Sequence, residues 1–463
     1  MDPSILRRSI KGEVLERSTA AYEAALSGLL WNQLRAERRP DLIVRVHDEQ
    51  DVVEAIKFAA TNDLRVVARG GGHSWCGLAV REGGMVIDLE GLNDVTLDVD
   101  ARRARIQPFI SNRDVIRHLE PHGLAFPVGH CPTVKASGFL LGGGIGWNAN
   151  HWGQACYSVE ALDVVTAQGE LVRCDSNSNT DLYWAARGGG AGFPGIAVGY
   201  HLRLYTMPKA MSFSAYYYQL EHIRDVGDWF WKVADELPPW VELSVFLVTA
   251  PPELRSQCAS TNGKVCLVTA EAFADDAADA TAALAMLEDF PLRNTCMSAT
   301  VNQPTSFNDL FDASGAMWPE PMRSRVETFW SKTSLAEILP AAAQHFVSCP
   351  SPETVMLVAL YPAWANGVPG NPDTAFSLSA KAYVGLWTMW RQPAEDAANN
   401  QWHDTMMSVY RPFTIGHYLG ETDIVEDRGR PQACYGSTNW ERLQKLRKEL
   451  DPKGIFQGFE GGL

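Results

Sequence analysis

The chain has no apolar run of the roughly 18 residues that a membrane-spanning helix needs. It has no Lys/Arg-rich tract, and 40 basic against 55 acidic residues leave a formal charge of −15. Nucleic-acid backbones and anionic membranes are therefore not expected as partners. Its nine cysteines are scattered and none form a CxxC pair, so neither a disulfide framework nor a structural zinc site is signalled, and no metal is expected. No Lys-Ser/Thr follows a glycine run, which excludes a P-loop, and there is no GxSxG elbow or HExxH helix. The opening MDPSILRRSIKGEVLERS lacks the apolar core of a secretory signal, so a cytoplasmic location is expected. Repeats and low-complexity tracts are missing too.

What is present is 463 residues of ordinary globular composition, too many for one core, so two lobes are expected. Residues 1–37 read as a helical segment, with an amphipathic pattern over 10–36. Residues 38–207 alternate short strands, short helices and glycine turns. Asp48 is placed to cap a helix, a buried strand covers 64–68, a helix starts at Ser111 or Asn112, and 161–174 reads as a hairpin around Gln168-Gly169. After Pro208 glycine thins out, and ten of the fifteen tryptophans appear. Long alternating segments at 212–220, 242–248, 264–273, 354–361 and 380–387 predict an antiparallel sheet, and helical patterns at 224–237, 276–287, 334–346 and 394–409 predict its backing. The fold class expected is α+β in two lobes, with a substrate lobe over 208–425 and a terminal segment over 426–463.

Chemistry concentrates in glycine. Arg69-Gly70-Gly71-Gly72-His73-Ser74 follows a buried strand directly, so consecutive N–H groups can converge on an anion such as a pyrophosphate. Gly142-Gly143-Gly144-Ile145-Gly146 only approximates GxGxxG, because Trp147 stands where the last glycine belongs, and no Rossmann arrangement surrounds it. It serves better as a second cradle for one long dinucleotide. Between them lies Gly129-His130-Cys131-Pro132-Thr133-Val134. Residue types and spacing alone end at a phosphate-bearing cofactor.

Five motifs in order extend this. RGGGHSWCG, then GHCPTVKASGFLLGGGIGWN, DVVTAQGELVRCD, DLYWAARGGGAGFPGIAV and YGSTNWERLQKLRKELDPKGIF together resemble the berberine-bridge-enzyme-like FAD oxidases of the vanillyl-alcohol-oxidase / p-cresol-methylhydroxylase superfamily. The resemblance covers 38–207 and the last thirty residues, and it implies a PCMH-type FAD-binding lobe with covalent FAD. His73 matches the histidine bonded to the flavin 8α-methyl, and Cys131 the cysteine bonded to carbon 6 in bicovalent members. Arg69, Gly70, Gly71, Gly72, Ser74 and Gly77 match the pyrophosphate loop. Gly129 flanks Cys131, while Gly138, Gly142, Gly143 and Gly146 match the second cradle. Gly195 and Ile196 match the adenine side. Val134 matches the position that gates oxygen, and its small size implies an oxidase that releases hydrogen peroxide.

Lys135 replaces the family's usual glycine, and is either a cation at the flavin's pyrimidine edge or a solvated side chain. The family's Tyr-x-Asn-Tyr stretch is Ile415-Gly416-His417-Tyr418 here, so His417 and Tyr418 are the candidate bases. Trp75, Trp147, Trp387 and Trp390 are candidate aromatic walls for the substrate, although Trp387 and Trp390, three residues apart, read more readily as core. The activity expected is oxidation of a small alcohol, amine or aromatic metabolite by hydride transfer. A dehydrogenase with another acceptor, a sugar oxidase and a catalytically silent flavoprotein stay open, as do the substrate and the oligomeric state.

Overall fold

Val, Ile and Ala dominate 42–45, 66–69 and 85–88 without polar alternation, the pattern of strands covered on both faces. In the computed structural model, which describes every residue except 1, 36, 366–372, 426, 428 and 460–463, these segments pair in parallel. They are joined by β1 (Glu13–Glu16) to give the order β1-β2-β4-β3, where β2 is Leu42–Arg45, β3 Val66–Arg69 and β4 Met85–Asp88. The expected helical segment over 1–37, with one helix across 10–36, is thus corrected. Two short helices, Pro3–Ser9 and Ala20–Gly28, flank a strand that pairs antiparallel with β2. Gly12 marks the break: a Cβ there would lie 1.9 Å from the Arg45 carbonyl oxygen, so only glycine brings the chain onto this sheet edge. Asp48 caps Glu49–Thr61 by accepting from the Asp51 N–H, as the sequence pattern predicts.

A second sheet, ordered β5-β6-β10-β8-β9, uses β5 (Val95–Asp98), β6 (Arg103–Ile106), β8 (Val159–Val165), β9 (Leu171–Asp175) and β10 (Ile196–Arg203). The hairpin expected over 161–174 is its β8–β9 edge. Short β7 (Leu124–Ala125) and β11 (Tyr205–Thr206) pair beside it.

The remaining strands form one antiparallel sheet, ordered β15-β12-β14-β13-β17-β18-β16. They are β12 (Ala210–Gln219), β13 (Val241–Thr249), β14 (Lys264–Ala274), β15 (Ser298–Pro304), β16 (Arg323–Ser331), β17 (Val355–Leu360) and β18 (Ala382–Trp390). Five of these strands were expected; β15 and β16 were not. β15 is an exposed edge strand with no apolar face, and β16 begins Arg-Ser-Arg, so neither shows the alternation that marks its neighbours. Side chains alternate across this sheet. On β14, Cys266, Val268, Ala270 and Ala272 pack in one core with the helices Ile223–Val233, Ala277–Ala285, Leu335–Phe346 and Asp396–Tyr410. Leu267, Thr269 and Glu271 face the other way, into a cavity. The terminal helix Ser437–Leu450 leads the chain back to β3, where the Val66 N–H donates to Ile455 O at 2.7 Å. Among the described residues no helix is long and apolar enough to cross a membrane.

Candidate functional site

The cavity, of about 660 Å³, lies between the glycine loops and the inner face of the seven-stranded sheet. β3 delivers the first loop. Gly72 has φ +69°, and a Cβ on it would sit 2.0 Å from Leu29 O, so the turn that aims His73 requires glycine. Gly70, Gly71, Gly72, His73 and Ser74 all line the cavity. The His73 ring stacks on Trp31 with centroids 5.3 Å apart. Its Nε2 lies 3.2 Å from Thr133 Oγ1, and that same hydroxyl lies 3.5 Å from Cys131 Sγ. One threonine therefore bridges the two residues that the sequence nominates as flavin tethers. Burial, then the charges of Lys135 and Arg69, lower His73 to about 4, so its imidazole is neutral. Burial pushes the Cys131 thiol up.

Gly129, Val134, Gly138, Gly142, Gly195 and Ile196 also line the cavity. Four other proposed cofactor contacts do not. Arg69 is turned away: its guanidinium donates to Asp88 Oδ1 at 3.0 Å, Gly28 O at 2.9 Å and Leu29 O at 3.2 Å, fastening the loop from behind. Gly77 and Gly143 are positive-φ turn residues off the cavity wall. Gly146 is there because a Cβ would lie 2.4 Å from Pro127 O.

Lys135 lines the cavity against the glycine loop, with its ammonium over the Phe109 ring at 4.5 Å and its pKa lowered chiefly by burial. Of the tryptophans, Trp75, Trp147 and Trp387 line the cavity, whereas Trp390 does not. Three residues apart on a strand means opposite faces. Trp390 is fully buried on the helix side and donates to Asp396 Oδ1 at 2.6 Å. His417 is corrected on the same ground. The backbone at its neighbour Tyr418 is extended, so the two side chains diverge. Tyr418 lines the cavity, and its Oη accepts from the Gly144 N–H at 3.1 Å. The His417 Nδ1 is instead 2.8 Å from Thr328 O, off the cavity, with its pKa lowered to about 4 by burial and Arg430.

A match to the FAD binding domain family covers residues 40–175. An FAD-linked oxidoreductase of Hypoxylon pulicicidum is 27% identical over 430 residues, 93% of this chain and 92% of that protein. The (R)-6-hydroxynicotine oxidase of Paenarthrobacter nicotinovorans is 32% identical over 203 residues, 44% of this chain and 43% of that one. The crystal structure of 6-hydroxy-D-nicotine oxidase from Arthrobacter nicotinovorans superposes with TM-score 0.83 at 20% identity, covering 98% of both chains. A berberine-bridge-enzyme-like protein of Physcomitrella patens superposes with TM-score 0.81 at 18% identity, covering 99% of this chain and 98% of that one. Over nearly its whole length the chain is similar to FAD-linked oxidoreductases, and it is an FAD-dependent oxidoreductase.

The residues of this FAD-linked oxidoreductase fit the cofactor. Arg81, only 1% exposed, lines the cavity with an unpaired Nη1, an orphaned cationic donor that an anionic diphosphate satisfies. Gln457 on the same wall has an unpaired Oε1. The opposite wall holds residues that the sequence reading did not single out as site residues. The Tyr383 hydroxyl donates to Glu421, whose pKa is raised chiefly by burial, and both line the cavity beside Tyr418. Glu242 and Glu271 are register partners on β13 and β14 and are each 6% exposed. Glu242 Oε1 accepts from the Ala149 N–H at 3.2 Å, and its Oε2 lies 3.4 Å from His130 Nε2. Burial, then repulsion from Glu242, lifts Glu271 to about 8. Their signal in the sequence is a carboxylate inside an otherwise apolar strand.

Proposed function

We propose that the protein is an oxidase of a small organic substrate, with FAD tethered to both His73 and Cys131 and with oxygen as electron acceptor. The observation that carries this reading is the single Thr133 hydroxyl within reach of both His73 Nε2 and Cys131 Sγ at one wall of the cavity. The 8α-methyl and carbon 6 lie on one edge of the isoalloxazine, so two tethers need two side chains this close together. His73 is uncharged at neutral pH, as a nucleophile toward carbon must be. Residues 38–207 then carry the cofactor, 208–425 supply the substrate wall, and 426–463 close back on the first lobe. Val134 lines the cavity, and its small side chain at the gating position supports oxygen as the acceptor.

Bound FAD supplies a hydride acceptor. The protein's part is to orient the substrate and to take its proton. Burial holds the Tyr418 phenol neutral, and its oxygen already accepts from Gly144, so its proton is free to fix a substrate heteroatom. The group suited to accept a proton is Glu421, raised by burial toward working pH and linked through Tyr383. In this reading His417 has no part in proton transfer.

The test is the mass of the denatured protein and the fate of its colour. One flavin retained through acid precipitation is expected, and it should survive loss of either tether alone, in His73→Ala or Cys131→Ser, but not of both. Yellow pigment that washes entirely into the supernatant of the unaltered protein overturns the double tether. Peroxide formed in air on turnover supports the oxidase; turnover only with an added dye makes it a dehydrogenase.

A further inference from the structure

The cavity is electrically divided. Its basic lining residues, Arg81, Lys135, His73 and His130, all come from the glycine-loop side. Among the described residues, the wall formed from residue 208 onward contributes Glu242, Glu271 and Glu421 to the lining but no lysine or arginine. Among the described residues Glu271 has no basic partner, and the neutral Thr269 hydroxyl on the same strand face is its hydrogen-bond partner; His130, 3.4 Å away, is the basic neighbour of Glu242. Two carboxyls facing each other across strands cannot both ionise cheaply in a buried site, and burial with the neighbouring Glu242 charge raises Glu271.

Past Ser244 and Thr269, the central strands of this face turn apolar. Phe246, Leu267 and Leu357 occupy the inward positions farther along β13, β14 and β17, and Trp387 lies beyond them on β18, packed edge-on against Trp318 at 5.4 Å. A polyol lying here would bury hydroxyls against carbon, which costs free energy for each unpaired group. A cation with a hydrophobic body meets no such cost, because its charge replaces the missing counterion of the acid pair and its body covers the aromatic and aliphatic strip.

Resting on the oxidase reading for the identity of the cavity as a substrate site, we propose that this site selects hydrophobic amines bound as cations, the ammonium seated between Glu242 and Glu271 and the apolar body lying along Phe246, Leu267, Leu357 and Trp387. Glu242 and Glu271 are then specificity-determining residues, separate from the Tyr418–Tyr383–Glu421 group that handles the proton.

The experiment uses the flavin-loaded full chain and measures binding by quenching of tryptophan fluorescence. The probes are phenethylamine, its N,N,N-trimethyl derivative, the neutral isostere 2-phenylethanol, and glucose. Both cations are expected to bind saturably, with the alcohol and glucose about tenfold or more weaker. Glu271→Gln and Glu242→Gln should each weaken the cations by about tenfold and leave 2-phenylethanol unchanged. The trimethyl probe cannot lose a proton, so its binding separates charge recognition from proton exchange. Equal binding of phenethylamine and 2-phenylethanol overturns the proposal without any variant, and so does cation binding that is unchanged in Glu242→Gln/Glu271→Gln. Anaerobic bleaching of the flavin is read in parallel. Amines that bind but never bleach it leave the amine site standing and sink the oxidase reading; glucose or 2-phenylethanol bleaching it in preference to amines does the reverse.

Discussion

Arg69 lies in a loop whose neighbours line the cavity, yet its guanidinium points the other way, and replacing it separates the two roles. In Arg69→Met, Asp88, itself 1% exposed, loses its partner at 3.0 Å, and the carbonyls of Gly28 and Leu29 lose their donors. Leaving one member of a buried ion pair behind costs about 3–5 kcal/mol. Unfolding entropy near 2.1 cal/mol/K per residue gives about 1 kcal/mol/K for 463 residues, so the melting temperature should fall by about 3–5 °C if the chain unfolds as one unit. If the first lobe melts separately, the fall is about 7–12 °C, because the same energy is divided by less than half the entropy. Arg69→Met/Asp88→Asn removes the stranded charge and should recover more than half of the loss. Burial already raises the Asp88 pKa, and without Arg69 it rises further. A carboxyl raised above its unfolded value is stabilising while protonated, and that stability is lost as pH rises through the folded pKa. The deficit of the single variant should therefore shrink as pH falls toward 4. Scanning calorimetry with flavin content measured by absorbance decides the matter. A variant that fails to load flavin while melting normally would show that Arg69 grips the phosphates, and the assignment made here would be refuted.

Glu271 has a folded pKa of about 8 against an ordinary 4.5, so the native state holds a proton that the unfolded chain has released between those values. Stability from this group is complete below 4.5 and lost by 8; Glu271→Gln should gain on the native protein in melting temperature between pH 5 and pH 9, and parallel curves would contradict this. Tyr418→Phe should slow flavin reduction by about 10²-fold or more in stopped flow, while His417→Ala lowers the melting temperature and leaves reduction within about twofold. Thr133→Val should lower the fraction of flavin that stays with the denatured chain in a gel, and Thr133→Ser should restore it. Trp387→Phe should change ligand affinity with little effect on melting, and Trp390→Phe the converse, since the two rings stand on opposite faces of β18.

The flavin half was legible in the sequence because its constraints are local. A strand that runs into three glycines and a histidine leaves the backbone few choices, and most of the positions nominated on those loops line the cavity. The exceptions, Arg69, Gly77, Gly143 and Gly146, share a cause. Motif membership marks residues that the turn requires, and only some of those touch what the turn holds. The substrate wall was legible as a sheet but not as a site. Its chemistry is assembled from β12, β13, β14, β17, β18, the helix Phe307–Met317 and residues 418–421, each giving a few side chains, so no window of sequence contains the constellation. Trp390 and His417 were misplaced because spacing along the chain was read without the alternation that extended backbone imposes. The N-terminal strand was missed because four residues pairing on a sheet edge carry too little pattern to outweigh the helical periodicity around them.

A different inference was available from the substrate sheet and needs no motif. Every residue of β14 is buried. On a strand with one wet face, a glutamate among valines and alanines would mark the solvent side. On a strand shielded on both faces, that explanation is closed. A buried carboxylate with no basic partner is tolerated only where something else supplies a compensating charge, or where it stays protonated. Glu271 lies opposite Glu242 on the face that opens into the cavity, and burial with the Glu242 charge beside it raises its pKa, while the basic side chain at this pair, His130, lies 3.4 Å from Glu242 Oε2. The missing positive charge must then come from the ligand or from a proton. This is why binding of a quaternary ammonium, which carries a charge and no proton, tests the substrate wall more directly than any measurement of turnover.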